Sequence, residues 1–367
     1  MPTPATHPGP APGPAAFERL LIVRLGAMGD IIHTLPAAAA LRTAFPEANI
    51  GWVVEQRWAE LLGTSNALRF GPRSPGRPLV DHLHTVNTKG WRTSMTSAET
   101  WKQIARAARE VRDQGYEVAI DFQGAIRSAL IAKLSRANTI YGFDRPRETL
   151  ARTVYDRRVS ARGAHVIEQN VSLAEAVAGR ALAPAGAVFP SDEVSEREWE
   201  RRLQDQQIGK FVLLNPGAGW GAKQWPAERY GQVARKLDAD GLKPIVNFGP
   251  GEEELAQAVR QASNHAAVVV TCSILQLIAL TRRASLFIGG DTGPLHLAAA
   301  LAVPVVAIFG PTDPARNGPF GTRSIVLRSP SSQTSHKRLP HPADSLLEIS
   351  ADQVIAAARG LVENPGG

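Results

Sequence analysis

Cysteine is almost missing from this chain: Cys272 is the single one in 367 residues. One thiol excludes an internal disulfide and a cysteine metal cluster, and it suits a reducing cytoplasm. No stretch reaches the roughly 18 consecutive apolar residues that a helical membrane span needs, so a soluble or peripheral protein is expected. Aromatic residues make up 6% of the chain. Zinc-finger spacing is absent and the arginines are scattered, which argues against a nucleic-acid binder. A GxGxxG fingerprint is missing too, since Gly26-Ala-Met-Gly29 does not supply it and no suitable acidic residue ends the second strand in a recognised context. A dinucleotide-dependent dehydrogenase is therefore disfavoured.

What is present suits a two-domain globular protein. The length allows two cores of ordinary size, and 44% of the residues are hydrophobic. Residues 1–16, MPTPATHPGPAPGPAA, have neither a basic start nor an apolar centre. They read as a disordered tail, not a signal peptide. A net charge of +7 and a pI near 9.8 favour anionic partners such as phosphorylated or carboxylated substrates or an acidic membrane face, without choosing among them.

Apolar runs alternate with helical patterns twice over. In the first half, strands are expected at 19–25, 49–54, 117–121 and 139–143, with helices at 31–45, 100–112 and 125–134. Ala181-Leu-Ala-Pro-Ala-Gly186 reads as a linker. The pattern then restarts, with strands at 211–214, 243–248, 267–270, 285–288 and 303–309, and helices at 227–238, 252–263, 273–283 and after 292. A final helix spans about 351–362, by the same periodicity. Repeated βαβ units predict parallel sheets, with ligands at their carboxyl edges.

The most informative stretch is Gly289 to Gly321, GGDTGPLHLAAALAVPVVAIFGPTDPARNGPFG. Asp291, Thr292 and Gly293 fall where a buried strand turns into a nearly all-apolar helix, so unpaired amides and the positive helix end face a ligand there. His296 lies one turn in on the same face as Thr292. Alone, this is also how a capped helix with a core histidine reads. Gly310-Pro-Thr-Asp-Pro314 adds a second polar loop at the same edge, and two converging loops favour a nucleotide site.

These blocks, with Leu25-Gly-Ala-Met-Gly-Asp30 followed by IIHTLPA, YEVAIDFQGAIRSAL from Tyr116 and NPGAGWGAKQWPAERY from Asn215, resemble the lipopolysaccharide heptosyltransferases of glycosyltransferase family 9. The likeness runs from about Phe17 to Leu361 and is strongest to the first heptosyltransferase of the pathway. It implies the GT-B fold, two Rossmann-like doubly wound α/β domains facing across a cleft. The expected bounds are 17–185 for an acceptor domain and 186–345 for an ADP-sugar domain, with 346–367 holding a helix that crosses back to the first. The implied reaction is inverting transfer of heptose from ADP-heptose to Kdo-lipid A at the anionic inner face of the cytoplasmic membrane of a Gram-negative bacterium.

Site residues follow from the same likeness. Asp30, otherwise readable as an N-cap, matches the proposed base that takes the acceptor proton. Lys223 matches the lysine that meets the departing diphosphate. Met28, Gly29, Ala218, Gly219, Glu252, Asp291, Thr292, Gly293 and His296 fall on the donor side. Lys89, Arg92, Arg127 and Arg147 fall where the family faces its anionic acceptor with basic residues, and arginine suits carboxylates and phosphates. The 89–92 segment carries fewer basic residues than the family pattern. No cofactor is implied, and no DxD pair suggests a metal. Two other readings remain open, a second-heptose enzyme and a non-catalytic nucleotide-sugar binder.

Overall fold

The computed structural model describes residues 17–67, 69–94, 96–335, 337 and 339–363, so the tail expected at 1–16 lies outside them. Among the described residues twelve strands form two six-stranded sheets. The first holds β1 (Arg19–Val23), β2 (Asn49–Glu55), β3 (His82–Val86), β4 (Val118–Asp121), β5 (Thr139–Phe143) and β6 (Arg157–Val159). The second holds β7 (Phe211–Asn215), β8 (Lys243–Phe248), β9 (Val268–Thr271), β10 (Leu286–Gly290), β11 (Val305–Phe309) and β12 (Ser324–Arg328). Strand order is β3-β2-β1-β4-β5-β6 in one and β12-β11-β10-β7-β8-β9 in the other. Counted within each half, both are the doubly wound order 3-2-1-4-5-6, and every ladder is parallel. This is the GT-B architecture.

Central strands are apolar throughout because helices cover both faces. Four of the five β1 residues, and all of β7, β10 and β11, are buried. The strands not foreseen, β3, β6 and β12, are all edge strands. His82, His84 and Thr85 interrupt β3, and β12 is only half buried, so no continuous apolar run marks either. Helix 31–45 is a correction: two helices stand there, Met28–Ile32 and Leu35–Ala44. Pro36 sits in the first turn of the second, where a missing N–H costs nothing, and the chain is re-aimed at His33–Thr34.

Helix Val166–Ala178 packs on Leu35–Ala44, and helix Glu193–Asp205 packs on Ile274–Arg283 in the second half. Between Ala178 and Glu193 there is neither helix nor strand. The crossing helix at 346–367 is corrected as well. Helix Ala351–Glu363 buries Val354, Ile355, Ala358 and Leu361 in the second domain's core, against helix Ala227–Ala239 and β10 to β12. A stripe at positions i, i+1, i+4 and i+7 gives it one apolar face, and the second sheet supplies the matching one.

In both sheets the order reverses next to the first strand, between β1 and β4 and between β7 and β10. The segments leaving those four strands at their carboxyl ends therefore bound the switch-point crevices. They carry Asp30, Arg127, Lys223 and Asp291.

Candidate active site

Asp30 is held from two sides. Its Oδ2 accepts the Ala27 N–H at 3.0 Å, and its Oδ1 pairs with Arg24 Nη2 at 2.9 Å. Arg24 is 8% exposed at its side chain and Asp30 40%, so a buried cation fixes a carboxylate that opens to solvent. The other Arg24 branch donates to the Phe122 carbonyl, and the Arg24 carbonyl accepts Trp52 Nε1 at 3.0 Å. The guanidinium thus ties the turn after β1 to the turn after β4. Charge-assisted contacts of this kind are among the stronger hydrogen bonds.

Across from it, the loop after β7 meets the loop after β10. Lys223 Nζ donates to Asp291 Oδ2, and His296 Nε2 lies 3.1 Å from Asp291 Oδ1. The Lys223 and Asp291 side chains are 10% and 9% exposed. Burial pushes the Asp291 carboxyl up, but the hydrogen bond and charge of His296 and the charge of Lys223 outweigh it and hold the group well below the usual carboxylate range. The ammonium also stands 4.3 Å from the Trp220 ring centroid, a cation–π distance. Glu252 folds over the same loop: its Oε2 accepts the Gly249 N–H at 2.9 Å, and a Cβ at Gly217 would come within 2.2 Å of both carboxylate oxygens. Glu252 therefore stands against the Gly217-Ala218-Gly219 turn.

The two halves touch at these loops. Helix Met28–Ile32 packs against helix Gly293–Ala300. A Cβ at Gly29 would come 2.6 Å from His296 Cδ2, and one at Gly293 would come 2.6 Å from Met28 Sδ. Asp30, Met28 and Gly29 are thereby brought beside Gly293, His296 and, through Asp291, Lys223. Around this seam three imidazoles cluster, His33 lying 4.2 Å from His296 and 5.5 Å from His165 between ring centroids. His165 Nε2 reaches the Gly318 carbonyl of the other half at 3.0 Å. Glu60 Oε2 accepts the Ile274 N–H at 3.1 Å, capping a helix across the seam.

The expected acceptor residues lie on the loops after β3, β4 and β5. Lys89 and Arg92 are exposed on helix Thr88–Thr93. Arg127 Nη1 donates to Thr88 Oγ1 at 3.3 Å, and Thr88 in turn donates to Glu55. Arg147 is exposed, and its segment packs on Gly124, where a Cβ would meet the Arg147 N at 3.0 Å. Asp121 anchors this region. Fully buried, it accepts from the Gln123 and Gly124 amides, the Ser128 hydroxyl at 2.9 Å and the Tyr155 hydroxyl at 2.7 Å. Arg24, Glu55 and Asp121 were not foreseen as parts of the site. The signal for each was a charge inside or closing an apolar strand, RLLIVRL, NIGWVVE and VAID. Among the described residues no three His, Cys, Asp or Glu side chains converge as a metal-ligand set.

The family model described as glycosyltransferase family 9 (heptosyltransferase) matches residues 104–345. The lipopolysaccharide heptosyltransferase 1 of Pseudomonas aeruginosa is 28% identical over 318 residues, 85% of this chain and 84% of that protein. Its namesake in Escherichia coli K12 is 27% identical over 317 residues, 85% and 94% of the two chains. The crystal structure of a family 9 glycosyl transferase from Veillonella parvula superposes with a TM-score of 0.80 at 23% identity, covering 95% of this chain and 98% of that one. The E. coli heptosyltransferase WaaC with ADP gives a TM-score of 0.75 at 24% identity, over 94% and 99%.

The imidazole cluster carries a pH signature. Burial, with the charges of His296, His165 and Arg24, holds His33 well below its usual value against the opposing pull of Asp291. Burial also lowers His165, which faces the Gly318 carbonyl, His296, Glu168 and Arg316. In the unfolded chain these rings take up protons below about pH 6.5, while the folded ones do not, so stability falls as pH drops from there toward the folded values. The thermal midpoint should decline between about pH 6.5 and 5.5, and His33→Phe, which keeps a ring against His296, should shallow that decline. Differential scanning fluorimetry checks it. Identical acid limbs in both proteins would show that His33 does not titrate differently on folding.

Proposed function

The chain belongs to glycosyltransferase family 9, and we propose that it moves heptose from ADP-heptose to Kdo-lipid A, inverting the anomeric centre, as a peripheral enzyme at the inner face of the cytoplasmic membrane in a Gram-negative bacterium. It is a glycosyltransferase of the heptosyltransferase family. The observation that carries the finer reading is the seam itself. A carboxylate opening to solvent, Asp30, comes from one domain, and a buried lysine at an anion-receptive helix start, Lys223 beside Asp291-Thr292-Gly293, comes from the other.

In the proposed reaction the acceptor hydroxyl gives its proton to Asp30 as its oxygen attacks the anomeric carbon. The bond from that carbon to the diphosphate breaks, and ADP leaves with the electron pair. Arg24 keeps the carboxylate aimed by pairing with one oxygen, leaving the outer lone pairs for the proton. Charge growing on the diphosphate is met by Lys223 and by the unpaired amides at Thr292 and Gly293, fixed in place before reaction by Asp291 and His296. Glu252, beside Ala218 and Gly219, suits the hydroxyls of the nucleoside or sugar. Arg127 and Arg147, with Lys89 and Arg92 beyond them, suit the carboxylates and phosphates of the acceptor. The name shared by the Pseudomonas and Escherichia relatives supports a first-heptose acceptor.

Replacing Asp30 by Ala should lower transfer by about two to four orders of magnitude, the range for loss of a general base, while ADP binding is kept. Calorimetry with ADP beside a rate measurement decides it, and near-wild-type turnover would remove Asp30 from the role. Transfer is expected to persist in EDTA, because Lys223 and the helix start can meet the phosphate charge. Activity lost on chelation and restored by magnesium or manganese would show a metal requirement. Arg127→Ala or Arg147→Ala should weaken acceptor binding by about 1.5–3 kcal/mol with ADP affinity unchanged, the scale of hydrogen bonds to charged groups. Steady-state kinetics on a delipidated Kdo acceptor measures it. Wild-type acceptor Michaelis constants in both variants would free these arginines of the role.

A further inference from the structure

Helix Ile126–Leu134 does not present a solvent face of the ordinary kind. Its exposed side chains are Ile126, Arg127, Leu130, Lys133 and Leu134, with no acidic and no neutral polar residue among them. Ile126, Leu130 and Leu134 are 40%, 52% and 41% exposed. Four-residue spacing aligns them in one stripe, and Arg127 and Lys133 flank Leu130 on either side. A water-facing helix surface normally carries charged and polar residues, whereas this one combines a wide apolar stripe with cations only.

Its neighbours extend the patch. The turn Thr149–Val154 packs beside it with Leu150 67% exposed, and helix Ala98–Arg112 packs on its other flank with Trp101 53% exposed. Five of the twelve exposed large hydrophobic residues among the described residues thus fall on three adjacent elements. An apolar cleft lies between the two helices, lined by Trp91, Ile104, Val111, Ile131 and Leu134. Contiguous exposed apolar surface of this kind marks an interaction site.

Charge says what the partner is. Lys102, Arg106, Lys133 and Arg152 lie on these three elements and Arg136 and Arg145 on the segments that adjoin them, all exposed. None joins an ion pair among the described residues. Of the acidic side chains nearby, Glu148 is occupied in accepting the Ile126 N–H at 2.8 Å, and Glu99 stands exposed. An unpaired cationic rim around an apolar stripe matches a surface that is anionic at headgroup level and apolar beneath it.

We propose that this face docks the protein on an anionic lipid bilayer, with Ile126, Leu130, Leu134 and Leu150 at the acyl boundary and the basic rim against headgroup phosphates. The face begins at Ile126 beside Arg127, in the first turn of the helix, so docking sets the acceptor loops at the bilayer. That adjacency to a lipid-linked acceptor rests on the function proposed above, whereas the docking itself does not.

The test is co-sedimentation of the full chain with vesicles of phosphatidylcholine alone and with about 30% phosphatidylglycerol, in low and high salt. Wild-type protein should bind the anionic vesicles at least about tenfold more tightly than the neutral ones and lose most of that in about 0.5 M salt. Leu130→Asp with Leu134→Asp should weaken anionic binding by about tenfold or more, with the thermal midpoint and transfer to a water-soluble delipidated acceptor unchanged. Lys133→Glu with Arg136→Glu, both exposed, tests the electrostatic half independently of any folding defect in the first variant. Binding indifferent to anionic lipid, or unaffected by both variants, would overturn the proposal. So would a dimer formed without vesicles that the leucine substitutions dissolve, which would assign the face to a second copy of the chain. Failure of the wild type to use the soluble acceptor would count against the proposed function alone, since vesicle binding is read without substrate.

Discussion

Two helix starts meet back to back in this molecule, and glycine is what lets them. Gly29 lies against the His296 ring and Gly293 against the Met28 side chain, each with no room for a Cβ. Unpaired amides of both helix starts are thereby drawn toward one place, an arrangement that favours negative charge between them. Two aspartates answer that demand from within the chain. Asp30 accepts an amide and pairs with Arg24, while Asp291 is pinned by Lys223 and His296. Acid and base alternate across the seam. The apolar core is continuous there too, running from Met28, Ile31 and Leu35 into Leu277, Leu295 and Leu297.

The same constraint explains how much could be read without coordinates. Central strands buried on both faces leave apolar runs, so β1, β4, β7, β10 and β11 were visible, together with the loops at their carboxyl ends. Asp30, Lys223 and Asp291 were singled out by motif, and they sit on those loops. Edge strands bury one face or little at all, and β3, β6 and β12 left no such run. The break at His33–Thr34 was hidden because the apolar residues on both sides are buried alike, and only Pro36 hinted at a restart. Arg24 was hidden for the opposite reason: its chemistry lies in what it touches, and the second arginine of RLLIVRL looks like a strand end. The final helix misled because an apolar stripe states that a helix is buried, not which sheet buries it.

Cations are used differently around the site in the two domains. The second holds Lys223, Arg282, Arg283 and Arg359 in ion pairs, as suits a body that must keep Lys223 and a helix start in fixed positions. The first leaves its basic side chains open on the loops after β3, β4 and β5 and on the helices that follow, which suits large anionic partners arriving from outside. Under the proposed function, that arrangement pairs a donor side held by ion pairs with an acceptor side left open to a large anionic substrate.

Mass spectrometry of the acceptor after incubation of the purified full chain with ADP-heptose and Kdo-lipid A tests the central claim most directly. A gain of one heptose on Kdo-lipid A is the expected result. An unchanged Kdo-lipid A beside efficient modification of an acceptor that already carries heptose would contradict it.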